Sequence, residues 1–224
     1  MLSLLPNPAY ANVHQIAAVH LKNVIKSSWC PPADKDVTPL PPNDRDAIKD
    51  TLVQYMCSPL PPALKPQIAE SISIISEHDY PQKWGNLLPS LVSKFSDPAS
   101  LSGVLSALNS ILKRFRYVER NDDVYKDLKY TLELLQAPLL ALATSLKANL
   151  ATGGLEALKQ ARLVSRVFFS LNWLDLPEYF EDNVSSWMDV MKAFLSPPAG
   201  ELDEDRPSDA EEVRAFQKLC ESNT

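Results

Sequence analysis

Proline divides this chain into stretches whose apolar residues recur every three or four positions, and that pattern limits the fold more than any other feature. Nineteen prolines stand against five glycines. The prolines gather at Pro31-Pro32, at Pro39 with Pro41-Pro42, at Pro59 with Pro61-Pro62, and at Pro197-Pro198. Proline stops a helix by removing a backbone donor and clashing with the preceding turn, and it favours extended connections. Between the clusters the spacing is helical. No stretch alternates apolar and polar residues as a half-buried strand does, and no Asn-Gly or Asp-Gly hairpin turn occurs. The expected fold class is all-α.

Eight amphipathic segments follow from the spacing. Val13, Ile16, Ala17, Leu21, Val24 and Ile25 make the stripe of a helix over 12–29. Ile48, Leu52, Tyr55 and Met56 do so over 44–57, after an N-cap expected at Asn43 or Asp44. Ile68, Ile72 and Ile75 mark 65–78, and Leu88, Leu91, Val92 and Phe95 mark 86–95. Leu101, Leu105, Leu108, Leu112 and Phe115 mark 98–117. The longest segment, 122–149, carries leucines from Leu128 to Leu146 and should be kinked at Pro138. Leu158, Ala161, Ser165, Phe168 and Leu171 mark 155–173. The last segment should open with Pro177 in its first turn and carry Phe180, Val184, Trp187, Met191 and Phe194 over 178–195. The links within pairs are mostly short, as antiparallel helix hairpins require. Taken in pairs, the segments give units of roughly 35–55 residues, close to the period of HEAT and armadillo repeats. The expected architecture is an α-α superhelix of HEAT-type antiparallel pairs over 1–195; a compact helical bundle is the other arrangement the pattern allows.

Composition narrows the function. Net charge is −6 over 224 residues, the wrong sign for a nucleic-acid binder. Met1-Leu-Ser-Leu-Leu-Pro has no basic region, and Pro6 and Pro8 break its apolar run, so no signal peptide is expected. No stretch approaches the ~20 apolar residues of a membrane span, which leads to the expectation of a soluble intracellular protein. Cys30, Cys57 and Cys220 have neither metal-ligand nor disulfide spacing. The scattered His14, His20 and His78 offer no metal or catalytic constellation. No phosphate-binding glycine loop, zinc-protease motif or nucleophile elbow occurs, so neither cofactor nor enzymatic activity is expected.

Three local features have a structural reading beside a functional one. Glu77-His78-Asp79 could serve acid–base chemistry, but Tyr80-Pro81-Gln82-Lys83-Trp84 follows. A helix end, a proline turn and an indole covering the hairpin explain the group without a nucleophile. Lys113-Arg114-Phe115-Arg116-Tyr117 is basic and aromatic, yet cations at a helix C-terminus complement its dipole. The stretch 201–212 holds seven acids and one base, and reads as a solvated linker (196–212) or an acidic surface for a basic partner, ahead of a further helix begun at 213–224.

Four stretches carry a family resemblance. Ala17-Ala18-Val19-His20-Leu21-Lys22-Asn23-Val24-Ile25-Lys26, followed by Trp29, resembles the end of the importin-β N-terminal domain, here placed at about 1–29. Ile74 to Trp84 is similar to the third repeat of karyopherins, where an aspartate–aromatic–proline group precedes a tryptophan. Lys113 to Tyr117 is similar to the end of the fourth repeat. Phe169-Ser170-Leu171-Asn172-Trp173-Leu174-Asp175-Leu176-Pro177-Glu178-Tyr179-Phe180-Glu181-Asp182-Asn183 resembles the exportin branch that returns importin-α to the cytoplasm. The chain is thus identified as a member of the importin-β (karyopherin) family of nuclear transport receptors.

The resemblance implies a monomeric, non-catalytic adaptor shuttling between nucleus and cytoplasm. Its implied partners are Ran-GTP, importin-α and nucleoporins, with no nucleic acid and no membrane insertion. Members are several times longer and begin with a further repeat. The resemblance therefore implies an N-terminal fragment, a truncated gene product or an incomplete gene model. Ran-GTP sits in the family against the second helix of each N-terminal pair. On those helices the spacing leaves Arg45, Asp46, Lys49, Asp50 and Val53 along the groove, then Ser90, Ser93 and Lys94, then Lys126, Lys129 and Glu133. These are the expected Ran contacts. A static HEAT scaffold that ignores Ran is the alternative.

Overall fold

The computed structural model describes residues 13–195 apart from 35, 59–60, 62, 117–118 and 120. Every regular element among the described residues is helical: α1 (His14–Ser28), α2 (Pro42–Met56), α3 (Lys65–Asp79), α4 (Leu87–Val92), α5 (Pro98–Leu112), α6 (Asp122–Asn149), α7 (Gly154–Asn172), α8 (Glu178–Asp182) and α9 (Val184–Leu195). None of these helices is long and apolar enough to cross a membrane. The acidic linker and the further helix expected at 196–224 lie outside the described residues. Contacts divide the chain into two units, Met1–Ile111 and Leu112–Thr224.

In the first unit α1 packs on α3, and α2 packs on both α3 and α4. The seam is filled by Leu21, Ile25, Leu52, Met56, Ile68, Ile72 and Ile75, all buried. Ile16 departs from the expected stripe and stands 69% exposed. Its place is taken by Ala18, whose small side chain lets α1 and α3 approach closely. Helix α2 starts at Pro42 with Pro41 as its flanking residue, not after Asn43 or Asp44. Proline suits a first helical position because its fixed φ is already helical and its missing N–H would have had no partner there. Helix α4 is shorter than expected. Beyond Val92 the chain tightens into three-residue turns, with Lys94 N–H donating to Leu91 (3.1 Å) and Phe95 N–H to Val92 (3.0 Å). Helix α5 opens on Asp97, whose carboxylate accepts from Ala99 N–H (3.1 Å) and Ser100 Oγ (2.8 Å). Gly103 of α5 lies against the end of α2. A Cβ there would stand 2.1 Å from the Met56 carbonyl oxygen.

In the second unit α6 packs on α7 and α9, and α7 on α9. Asn121 caps α6 through a bond from Val124 N–H (2.9 Å), and Asp122 and Asp123 sit in its positive first turn. The helix runs unbroken through Pro138. The helix expected over 178–195 is two helices. Asn183 interrupts it with a non-helical backbone (φ −105°, ψ 18°), while its own N–H (3.2 Å) and its side-chain Nδ2 (2.9 Å) both donate to the Tyr179 carbonyl. Pro177 flanks α8 in extended conformation and is not in its first turn. The break turns Val184 outward and brings Val190 into the core beside Trp187 and Phe194. Phe168, Phe180 and Trp187 close this unit as an aromatic cluster, with ring centroids 4.6–5.4 Å apart.

Candidate partner-binding surface

Helices α2 and α4 run beside each other in the first unit and leave a groove of about 490 Å³ between them. Asp50 and Val53 enter it from α2, and Ser90, Ser93 and Lys94 from α4 and the turn after it. The structure therefore brings these five expected contact residues to one surface. Gln54, Cys57 and Ser58 extend the α2 wall, and Asn86 lines the groove beside them. Sequence reasoning passed over Gln54 and Cys57, although positions 50, 53, 54 and 57 share one helical face. Trp84, expected to be buried at the hairpin end, is 4% exposed and serves as the groove's floor.

The groove is polar and offers no reactive group. Ser93 Oγ is occupied by the Ser90 carbonyl (2.8 Å). Burial pushes the Cys57 thiol up, with Asp97 adding to the rise and Lys94 opposing it, so the thiol stays protonated and weakly nucleophilic at neutral pH. No cluster of His, Cys, Asp and Glu able to hold a metal ion occurs among the described residues. The arrangement suits contact with a partner surface through its opposed Asp50 and Lys94.

Lys49 is a correction. It was expected along the groove but is only 6% exposed. Its Nζ lies 2.7 Å from Asp79 Oδ2, donates to the Lys83 carbonyl (3.1 Å), and stands 5.8 and 5.7 Å from the rings of Trp29 and Trp84. The reason is positional. Lys49 precedes Leu52 by three residues and Met56 by seven, which places it on the buried stripe itself. Asp79 is thereby explained as the anion of a buried ion pair. Arg45 is also partly engaged, with Nε donating to the Leu40 carbonyl (2.9 Å) and its guanidinium 5.3 Å from the Trp29 ring. Asp46 remains exposed, 4.0 Å from Lys49.

The other expected contacts, Lys126, Lys129 and Glu133, lie exposed on α6 of the second unit. Lys126 pairs loosely with Asp123 at 3.6 Å. Lys129 and Glu133 border a separate cavity of that unit. The basic segment after α5 is structural: Arg114 pairs with Asp127 (2.9 Å), while Arg116 donates to Ser170 Oγ (2.7 Å) and the Arg166 carbonyl (2.8 Å).

Comparison with known proteins follows the same division. Residues 1–58 match the importin-beta N-terminal domain and residues 111–222 match the Cse1 family. The chain is 34% identical to exportin-2 of Drosophila melanogaster over 212 residues, 90% of this chain and 21% of that protein. It is 34% identical to exportin-2 of Homo sapiens over 209 residues, 88% of this chain and 21% of that protein. Exportin-2 of Dictyostelium discoideum is 33% identical over 194 residues, 83% of this chain and 20% of that protein. A solved structure described as the exportin Cse1 in its cargo-free, cytoplasmic state superimposes with a TM-score of 0.85 at 28% identity, covering 99% of this chain and 25% of that one. The chain spans about a fifth of the length of the curated relatives it matches.

Proposed function

We propose, from the premise that this chain belongs to the exportin-2 (Cse1) family, that it forms the N-terminal receptor surface of a nuclear export receptor and binds Ran in its GTP form. The observation that carries the reading is the α2–α4 groove, where Asp50, Val53, Ser90, Ser93 and Lys94 meet on consecutive second helices. A folded GTPase presents a broad surface, not a small ligand, and a polar groove between helix pairs offers it several contacts at once. The cargo that accompanies Ran-GTP in this reading is importin-α, carried from nucleus to cytoplasm and released when GTP is hydrolysed. Stacked helix pairs suit that cycle because small rotations at each pair sum to a change of grip.

Titration calorimetry with Ran loaded with a non-hydrolysable GTP analogue, and with Ran-GDP, tests the reading. Ran-GTP should bind at least about tenfold more tightly than Ran-GDP. Asp50→Lys with Lys94→Glu should weaken it by about tenfold or more, since a few central contacts dominate such interfaces. Equal affinity for the two nucleotide states would contradict the proposal and favour a static scaffold. Nucleotide discrimination that survives the double substitution unchanged would remove only the groove from the contact surface.

A further inference from the structure

The second unit holds a cavity that the Ran reading does not use. It is a trough of about 550 Å³ between the first half of α6 and the segment leading into α8. Its floor is apolar, formed by Leu128 and Leu132. Its two sides carry large apolar groups open to water, Tyr125 at 56% exposure and Leu176 at 49%. Large apolar side chains that line a cavity yet remain hydrated carry a free-energy cost in the free protein, and covering them relieves it. The rim is anionic. Glu133, Asp175, Glu178 and Asp182 stand around the trough against the single cation Lys129. Asp175 also caps the backbone, accepting from Leu176 N–H at 3.0 Å. Glu133, Glu178 and Asp182 are exposed and enter no ion pair among the described residues. Their charge is therefore available to an incoming ligand.

We infer that this trough is a docking site for a short peptide that places an apolar or aromatic anchor between Tyr125 and Leu176, with lysine or arginine on either side of it. The volume lies in the range of sites that enclose a few side chains. The apolar floor supplies the anchor's burial, and the anionic rim supplies both attraction and register through charge complementarity. An acidic or uncharged peptide would meet repulsion or gain nothing at the rim. On this inference Lys129 and Glu133 border a peptide site, and the inference stands independently of Ran binding by the first unit.

The test is fluorescence anisotropy with the full 224-residue chain. The probe is a fluorescein-labelled octapeptide with a central leucine–phenylalanine pair flanked on each side by three lysine and arginine residues. Two comparison peptides replace the apolar pair by glycines or the cations by glutamates. Binding of the probe should fall at least about tenfold with either comparison peptide, and at least about tenfold in a Glu133→Lys, Glu178→Lys variant. Both substitutions are at exposed positions, and an unchanged circular dichroism melt would exclude misfolding as the cause. Hydrogen exchange should slow at 125–136 and 175–182 when the probe is bound. Attraction to the acidic stretch 201–212 would instead leave the variant and the glycine peptide binding as well as the originals. That result, or no binding at all, would overturn the inference.

Discussion

The two units close their helix pairs by opposite means. In the first, the corner between α2 and α3 is held by a buried ion pair, Lys49 with Asp79, set between the indoles of Trp29 and Trp84. In the second, α7, α8 and α9 meet over Phe168, Phe180 and Trp187 with no charge among the three rings. The aromatic corner gains its stability from burial and ring–ring contact. The charged corner loses the hydration of two ions and recovers it only while both partners and the Lys83 carbonyl are in place. Direction is what it gains: an ion pair at 2.7 Å fixes where Trp84 and the following α4 wall stand, and these border the proposed Ran surface.

The comparison predicts the largest effects at these two corners. Lys49→Ala should destabilise the protein by about 3–5 kcal/mol, because it leaves Asp79 buried without a counter-ion. Trp187→Ala should cost a similar amount, about 3–5 kcal/mol, by opening a cavity. The two are told apart by the joint replacement Lys49→Met with Asp79→Leu, which should cost far less than Lys49→Ala alone. Reversible urea melts measure all three. A loss below about 1 kcal/mol for Lys49→Ala would mean that the pair is not the pin of its corner.

A smaller effect is expected where the first unit depends on close backbone approach. Gly103→Ala would drive a methyl group against the Met56 carbonyl, which is backbone and cannot swing aside. A loss of about 1–3 kcal/mol in the same melts is expected. A neutral substitution would mean that α5 and the end of α2 leave room for a methyl group at Gly103.

The smallest expected effect concerns acid. Ser100 Oγ, then the Ala99 N–H, hold the Asp97 carboxyl below the usual aspartate range, with Lys94 assisting. A carboxyl whose folded pKa is depressed stabilises the fold above its unfolded pKa, near 4, and that contribution disappears as pH falls through the lower folded value. Asp97→Asn keeps a capping acceptor but does not titrate. The variant should therefore lose less stability than the native chain between about pH 5 and pH 2, as followed by urea midpoints. Identical pH slopes would remove Asp97 from the acid response of the first unit.

The corners also mark how far the sequence could be read. Proline clusters and the helical period were enough for the all-α class and for the leucine stripe of α6, because each depends on local geometry. The division at Asn183 was not legible, because the apolar spacing continues across it and only the backbone of Asn183 leaves the helical conformation, its side chain turning back to the Tyr179 carbonyl. Ile16 was misplaced because it borders the expected stripe of Ala17, Leu21 and Ile25, and the face packed on α3 is turned toward Ala18 instead. Lys49 was misplaced for a different reason. Its exposure was inferred from spacing centred on Ile48, Leu52 and Met56, but position 49 falls on the same face as Leu52 and Met56 and its register is that of the core. A lysine can bury its stem and ammonium together when an acid waits at the end, and that acid lies thirty residues further on. The groove residues of α2 and α4 were legible since they sit opposite the buried stripe. Trp84 as the groove floor required knowing where the chain goes after the turn at Pro81.

The proposed Ran-GTP contact lies in the α2–α4 groove. Hydrogen exchange of the full chain, alone and with Ran bound to a non-hydrolysable GTP analogue or to GDP, tests it most directly. Exchange should slow at 50–58 and 84–94 with the GTP form and change little with the GDP form. Protection equal in both nucleotide states, or confined to segments away from α2 and α4, would contradict it.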